Sequence, residues 1–381
     1  MKRLCLAAVV VTVFFGAVHA DRGPQYRGMQ VDAMGRSGTA SIRGPSALYL
    51  NPAGLAGQQG YGGEASAEMG FNGVLLDYAN WANQNSAYLN NIDSIAAYMD
   101  PTLDRKWAPY SSNYLVQGYF QDYAFSVVRD AHYAITFGKA AITPSVLGAS
   151  MLSDLQISAG RGFVLPDDWK VGIAYKFLYR QRADAVLYGL NDDNYYDIKQ
   201  AWQKSSSSFT GGLDKITVAS DFAAAQYGFG VNLGASRTLP YGFTVAASVL
   251  DLPTFFNGGF FEPQLNLGGS YARDFGTIPA ARGTDFVEDV SYNVLVNLDW
   301  QFPFPEDPWF KQWKGGVELG TRFHKHDLLS LSTGLNDGYP SFGVRAGYVL
   351  YAYYIYNAQE TGDYPGQEKL NYHRFGLDLN F

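Results

Sequence analysis

Cysteine is almost absent from this chain, since Cys5 is the only one among 381 residues. It lies in Met1–Ala20, where two basic residues and an apolar run precede the small-residue site Val18-His19-Ala20, the pattern of a secretory signal peptide. With cleavage near Ala20, the mature chain has no disulfide, no thiolate nucleophile and no cysteine-based metal site. Cys5 lies inside the apolar run, too early to become a lipidated first residue.

Long apolar runs are missing as well. The run from Leu4 to Val18 has about 15 residues, whereas a membrane-spanning helix needs roughly 20. A membrane anchor is therefore the weaker alternative for the N-terminus, and the mature chain is predicted to have no transmembrane helix. Basic residues are also few. Without Lys2 and Arg3, the 28 basic residues become 26 against 35 acidic ones, and this negative balance disfavours nucleic acid as a partner.

Motifs for catalysis are lacking too. The sequence has neither a Gly-x-Ser-x-Gly elbow nor a phosphate-binding loop. His324 and His326 share a strand face, but Asp327 points the other way and supplies no third ligand. The acidic loop residues Asp192-Asp193 and Asp197 lack the EF-hand register. We therefore predict no enzyme activity, no cofactor and no metal site, although a hydrolase site assembled from separate strands stays an alternative.

Alternation of apolar and polar residues is what the sequence has in abundance. In Asn371–Phe381, an apolar face built around Phe375, Leu377 and Leu379 alternates with a polar face. Strand side chains repeat with a period of two, so such a segment has one face for apolar surroundings and one for polar surroundings. A soluble sheet can alternate in the same way. Here the pattern recurs along most of the chain behind an export signal, which favours a membrane barrel.

Fourteen segments of this kind are predicted to be strands, most of them about ten residues long, the length a tilted strand needs to cross a bilayer. They are Gly60–Phe71, Tyr114–Val128, His132–Ile142, Leu155–Leu165, Trp169–Ala183, Gln226–Thr238, Gly242–Leu252, Gln264–Phe275, Tyr292–Phe302, Gly315–His324, Asp327–Asn336, Ser341–Tyr348, Leu350–Asn357 and Asn371–Phe381. The predicted fold is all-β, a transmembrane antiparallel up-and-down β-barrel of about 14 strands over residues 58–381. Twelve strands are the alternative, because the division at Val349 rests on length alone.

Connections between the predicted strands alternate between short and long, as periplasmic turns and outer loops do. The predicted short turns are Arg129-Asp130-Ala131, Pro166-Asp167-Asp168, Leu239-Pro240-Tyr241 and Lys325-His326. The longest connections include residues 72–113, which we interpret as a helical extracellular loop. Its larger side chains recur at helical spacing at Tyr78, Trp81, Tyr88, Ile92, Ile95 and Met99. This helix either packs on the rim without a ligand role or gathers substrate as a lid.

The segment before the first strand, residues 21–57, is rich in small residues and ends with the turn Asn51-Pro52-Ala53. This segment and motif, followed by barrel strands, resemble the FadL-like outer-membrane family of long-chain fatty acid transporters and related PorV-type barrels. Gly316–Gly320 and His373–Leu377 resemble the closing strands of the PorV-type members. The resemblance implies a hatch, meaning a plug folded inside the barrel, over residues 21–57. A disordered leader is the alternative.

That resemblance also implies a function. The chain is predicted to sit in the outer membrane, with lipid around it, and to move a hydrophobic or amphipathic ligand, a long-chain fatty acid first of all, past the hatch by passive diffusion. The alternative is a PorV-type shuttle or anchor whose partner is an exported protein. Charges facing lipid are costly, so six cations are predicted to face the lumen and are the tentative ligand-binding residues: Lys170, Lys176, Arg180, Arg322, Arg345 and Arg374. Pairing with Glu318, Asp299 or Asp378 is the alternative role for each.

Overall fold

The computed structural model describes residues 28–88, 108–138, 146–188, 225–252, 254–256, 259–261, 263–277, 290–302, 309–323, 326–360 and 369–381. The predicted signal peptide Met1–Ala20 and the first residues of the predicted hatch lie outside these ranges. So do residues 89–107 of the predicted helical loop and the acidic residues near position 192.

One antiparallel sheet contains the strands of the described residues. In chain order they are β1 (Tyr61–Asn72), β2 (Ala108–Phe120), β3 (Tyr123–Gly138), β4 (Val146–Val164), β5 (Trp169–Tyr188), β6 (Gln226–Thr238), β7 (Phe243–Leu250), β8 (Thr254–Phe256), β9 (Gly259–Phe261), β10 (Gln264–Thr277), β11 (Val290–Phe302), β12 (Trp313–Phe323), β13 (His326–Asn336), β14 (Tyr339–Gly347), β15 (Leu350–Glu360) and β16 (Lys369–Asn380). Each long strand overlaps at least one predicted segment, but the predicted strand Tyr114–Val128 is wrong, because it runs from β2 across the turn Gln121-Asp122 into β3.

The sheet closes on itself into a barrel. β1 pairs with β2 on one side and with β16 on the other, and β5 pairs with both β4 and β6. Fourteen long strands make up this ring. The three-residue strands β8 and β9 extend the hairpin of β7 and β10, since β8 pairs with β6 beyond the end of β7. The predicted count of fourteen is therefore confirmed, and so is the division near Val349.

The two faces of the ring differ in polarity as the alternation predicts. On β11, Leu298 is exposed on the outside, while Asn297 and Asp299 are buried on the inside. Exposed apolar side chains likewise mark the outer faces of the other long strands. Aromatic rings collect near the strand ends, for example Tyr61 at one end and Trp313, stacked on Trp300, at the other. An apolar outer band flanked by aromatic residues is the surface of an outer-membrane barrel.

Four short turns lie at one end of the barrel, which we call the turn end. They connect β2 to β3, β4 to β5, β6 to β7, and β14 to β15, whereas the two-residue turn Asp337-Gly338 between β13 and β14 lies at the opposite end. The predicted turn Arg129-Asp130-Ala131 is wrong, because these residues lie inside β3 and the turn is Gln121-Asp122. Gln121 has a positive φ of 51°, which lets two residues reverse the chain. Charges at Arg129 and Asp130 do not end the strand, because Asp130 lies on the inward side of the ring.

Helices are few and short within the described residues. They are α1 (Met29–Ala33), α2 (Ala47–Leu50), α3 (Gly73–Gln84) and α4 (Trp309–Gln312). Asn72 caps α3 by accepting a hydrogen bond from the Leu75 amide, and Tyr78 is buried against neighbouring strands. The predicted loop boundary at residue 113 is corrected, since β2 already begins at Ala108. None of the described helices has the length and apolar character needed to cross a membrane.

The buried apolar core lies inside the barrel, not between layers. It combines side chains of α2 and its neighbours, such as Leu48, Leu50 and Leu55, with inward residues of the wall, such as Leu115 and Val128. Two single turns of 3-10 helix, Gly44–Ser46 and Pro52–Leu55, flank α2. Residues 28–57, called the interior segment from here on, therefore supply seven of the eleven buried residues of this core cluster.

Candidate functional site

The interior segment packs against the inward faces of strands around most of the ring. Its second half contacts β2 to β7, and α1 contacts β13, β14 and β15. Hydrogen bonds join it to distant strands, including one from the Ser341 hydroxyl to the Ala33 carbonyl and one from the Asn232 amide group to the Leu48 carbonyl. These contacts, reaching opposite parts of the ring, place the segment in the lumen.

Glycines of the wall let the interior segment come this close. A β-carbon added at these inward positions would overlap an atom of the interior segment. They are Gly162, Gly172, Gly234, Gly268, Gly316, Gly334 and Gly343. A side chain of any size at these positions would fill the space that the segment occupies. The glycines therefore let the segment rest directly on the wall. We call them the seat glycines.

The Asn51-Pro52-Ala53 turn links two parts of the interior segment to the wall. The buried Asn51 side chain accepts a hydrogen bond from the Ala53 amide (3.1 Å) and donates to the Thr39 carbonyl (2.8 Å). It also donates to the Ala235 carbonyl of β6 at 3.4 Å. An asparagine can serve these three partners because its side chain has both donors and an acceptor.

The carboxylate of Asp299 on β11 binds the first half of the interior segment. One of its carboxylate oxygens accepts hydrogen bonds from the Gly38 amide (2.7 Å), the Thr39 amide (2.8 Å) and the Thr39 hydroxyl (2.8 Å). Hydrogen bonds to a carboxylate are among the strongest in proteins. Sequence reasoning offered Asp299 as a partner for lumen cations. Its use for backbone amides of the segment was missed, since no sequence pattern couples positions 38 and 299.

Among the predicted lumen cations, Arg374 joins the interior segment to the wall. Its guanidinium lies 2.7 Å from the Asp32 carboxylate of α1 and 3.3 Å from the Glu68 carboxylate of β1. Glu68 also accepts a hydrogen bond from the Tyr353 hydroxyl at 3.2 Å. On β3, the Ser126 hydroxyl contacts Tyr49, and burial raises the pKa of the Tyr49 hydroxyl, which therefore stays protonated.

Lys176 and Arg180 lie together on β5, beneath the β8–β9 hairpin. Arg180 makes a two-pronged ion pair with Asp154 at 2.8 and 2.7 Å. Lys176 pairs with the fully buried Asp251, which also accepts a hydrogen bond from the Thr254 hydroxyl. Two stacked rings of the hairpin, Phe256 and Phe261, cover the Arg180 guanidinium at 5.3 Å each.

The other predicted cations are spread out. Arg322 pairs with Asp327 at 2.7 Å, and Arg345 lies 3.9 Å from the same Asp327 carboxylate. The remaining cation, Lys170, is half-buried at the turn end of β5, next to Gly57 of the interior segment. The six cations therefore do not converge on one point. Five of them already face a carboxylate of the protein.

A cavity of about 230 Å³ separates the interior segment from the wall of β1 and β11 to β16. Apolar side chains line part of it, including Val31, Ala33, Ile42 and Ile355. Charged side chains line the rest, and these are Glu64, Glu318, Asp327, Asp378, Arg43 and Arg345. The cavity thus has an apolar portion and a polar portion in which carboxylates outnumber cations by four to two.

In the part of the chain that the structure describes, no three His, Cys, Asp or Glu side chains are arranged to hold a metal ion. His326 opens β13, whereas its predicted partner His324 lies outside the described residues.

Comparisons with known proteins concern the fold. No family model and no curated protein matches the sequence. Among solved structures, the chain is similar to the Pseudomonas putida toluene transporter TodX, with 12% identity, a TM-score of 0.47, and coverage of 95% of this chain and 99% of that one. It is similar to the Ralstonia pickettii toluene transporter TbuX, with 10% identity, a TM-score of 0.47 and coverage of 93% and 98%. A Pseudomonas aeruginosa FadL homologue is 11% identical, with a TM-score of 0.34 and coverage of 94% and 98%.

Proposed function

We propose that this protein lets hydrophobic or amphipathic small molecules cross the outer membrane by passive diffusion through a barrel that its interior segment gates. The observation that carries the proposal is the filled lumen: residues 28–57 touch the inward face of a closed ring whose outer face is apolar. A PorV-type shuttle or anchor with a hatch would have the same filled lumen, so binding and passage of a hydrophobic ligand decide between the two.

The contacts of the interior segment suit a gate with two discrete arrangements. The part from α1 to Thr39 makes a few strong polar contacts with the wall, to Asp299, Glu318 and Arg374. The part from Ala47 to Ala56 is packed in the apolar core. A ligand that binds better when the first part is displaced would shift the population towards the open arrangement.

Long-chain fatty acids, the ligand class implied by the FadL-like resemblance, remain a prediction. A fatty acid carboxylate would need a cation, and Lys176, Arg180, Arg345 and Arg374 already pair with protein carboxylates. Binding such a carboxylate at these positions would displace an existing pair. The tail of any amphipathic ligand is the part that the apolar portion of the lumen accommodates without such an exchange.

Reconstitution of the mature chain in lipid vesicles tests the proposal. We expect saturable binding of labelled oleate or of a neutral hydrocarbon, and an increased leak of small polar solutes after deletion of residues 21–57. Because the deletion could disturb folding, Asp299→Asn provides a second variant that keeps the side-chain shape but weakens one anchor. Asp274→Asn, at an exposed position outside these contacts, is the matched control.

Failure of the proposal has a clear signature. If no hydrophobic ligand binds and neither the deletion nor Asp299→Asn changes the leak, while all variants remain folded, the gate is rejected. Capture of specific exported proteins in the absence of ligand passage would instead favour the shuttle alternative.

A further inference from the structure

The cavity between the interior segment and the wall contains buried acceptor atoms that accept no hydrogen bond from the described residues. Asp378 of β16 is only 1% exposed, lines this cavity, and neither of its carboxylate oxygens accepts a hydrogen bond. The Asn293 side-chain oxygen, on the same cavity, is also buried and accepts none. Buried acceptors without donors are costly, and a buried carboxylate whose two oxygens accept no hydrogen bond is suited to a group that donates.

The nearest counter-charge does not satisfy this need. The Arg345 guanidinium lies 3.4 Å from Asp378, stacks on the Tyr351 ring at 3.8 Å, and lies 3.9 Å from Asp327. Its single charge is therefore shared between two carboxylates. The other cavity carboxylates already have donors: Glu64 accepts from Gln117, Glu318 accepts from Gln30 and Ser332, and Asp327 accepts from Arg322.

The charge around the cavity also favours a ligand that donates hydrogen bonds. Its lining carries four carboxylates against the two cations Arg43 and Arg345, and counting Arg322, which pairs with Asp327 from outside, still leaves one negative charge in excess. Opposite the carboxylates, Val31 and Ile42 of the interior segment present apolar surface. A ligand that matches this lining has a positively charged, hydrogen-bond-donating head and an apolar body.

We infer that this cavity binds the protonated amino group of an amphipathic amine, with Asp378 as its main partner and the apolar tail against the interior segment. The inference rests on the proposed function, because it names the head group of the ligand that the gated barrel admits. An ammonium donates three hydrogen bonds, enough for both oxygens of Asp378, and its charge offsets the excess of carboxylates.

A series with one tail and three head groups tests this inference. Binding of octylammonium, octanoate and octan-1-ol is measured by calorimetry at neutral pH on the mature chain in nanodiscs, with empty nanodiscs subtracted. We expect octylammonium to bind about tenfold tighter than octanoate, and Asp378→Asn to remove about that advantage, as loss of a charge-assisted hydrogen bond would. Glu318→Gln, which keeps its hydrogen-bonding shape, should reduce the advantage less.

Asp130→Asn is the matched control, since it removes one inward carboxylate outside the cavity and should leave the order of the three compounds unchanged. Retention of the folded barrel in each variant is verified by its resistance to unfolding in cold detergent. Tighter binding of octanoate, or octylammonium binding that Asp378→Asn does not weaken, overturns the inference but does not contradict the gated barrel. Binding of none of the three compounds overturns both.

Discussion

At the residue scale, the glycine content of the chain does not tell which glycines contact the interior segment. Gly268 and Gly269 are neighbours on β10 but face opposite sides of the wall. A β-carbon at Gly268 would lie 2.8 Å from the Thr39 β-carbon and 2.6 Å from the Asp299 carboxylate, whereas one at Gly269 would meet nothing within 4 Å. The same residue type thus serves close contact at one position and leaves open space at the next.

We expect Gly268→Ala and Gly269→Ala to have opposite consequences. The first forces Thr39 or Asp299 to move, and overpacking of this kind typically costs about 1–3 kcal/mol in the free energy of unfolding. The second removes only unfolded-chain freedom and should be neutral or stabilising by less than about 1 kcal/mol. Urea unfolding of both variants in vesicles, together with the solute leak, measures the difference. Equal effects would mean that the interior segment does not rest on Gly268.

The partners of individual cations could not be predicted from the sequence. The alternation of polar and apolar residues correctly placed Lys176 and Arg180 on the inside of β5, because lipid excludes charge from the other face. Their carboxylate partners come from other strands. Asp32 and Arg374 are 342 positions apart, and only the closure of the ring brings them together. Pairing therefore depends on register and on the path of the interior segment, neither of which a local pattern encodes.

At the scale of elements, the break between β7 and β8 is the most distinctive feature of the wall. Asp251 lies in this break with a positive φ of 61°, fully buried, and its amide donates a hydrogen bond to the Asn232 side chain at 2.9 Å. Lys176 reaches it from β5 across Gly230 of β6, where an added β-carbon would contact both Lys176 and Thr254. One ion pair thus ties three neighbouring strands at the base of the hairpin.

Removing the charge of Lys176 should loosen this hairpin selectively. In Lys176→Met, the buried Asp251 carboxylate loses its counter-charge, and breaking a buried pair typically costs about 3–5 kcal/mol. We expect faster amide hydrogen exchange at residues 251–261 and unchanged exchange in β12 and β13. Lys170→Met, on the same face but half-buried at the turn end, is the control. Much of the loss should return in the double variant with Asp251→Asn; a simple sum of the two costs would contradict the pairing.

Elements were predicted well where the physical rule is local and poorly where it is not. Period-two alternation gave β6 its observed bounds and located most long strands, because each strand has lipid on one side and a polar lumen on the other, but it joined the end of β2 to the start of β3 in one segment. The turn at Arg129–Ala131 was misplaced because two charges in succession resemble a solvent-exposed loop, although one of them, Asp130, lies in a polar lumen. The extension of β7 by β8 was missed, since three residues are too few for a period to be read.

At the scale of the whole molecule, the position of the apolar residues is inverted relative to that of a soluble protein. Leu319 is 53% exposed in the middle of β12, while carboxylates such as Asp299 are buried inside. In water, such an outer face would be a liability for aggregation. In a bilayer it is the stabilising surface, since apolar side chains remain with lipid and the strand hydrogen bonds are closed within the ring.

Placing an arginine on the outer face distinguishes these two surroundings. Leu319→Arg should cost about 2–4 kcal/mol in the free energy of unfolding from a bilayer, because the position lies far from both ends of its strand. Tyr241→Arg, in a turn where the side chain is 91% exposed, should cost at most about 1 kcal/mol, because it lies at the membrane boundary. Reversible unfolding from lipid vesicles measures both variants. If Leu319→Arg proved neutral or stabilising, water and not lipid would surround this wall, and the proposal of a gated membrane barrel would be wrong.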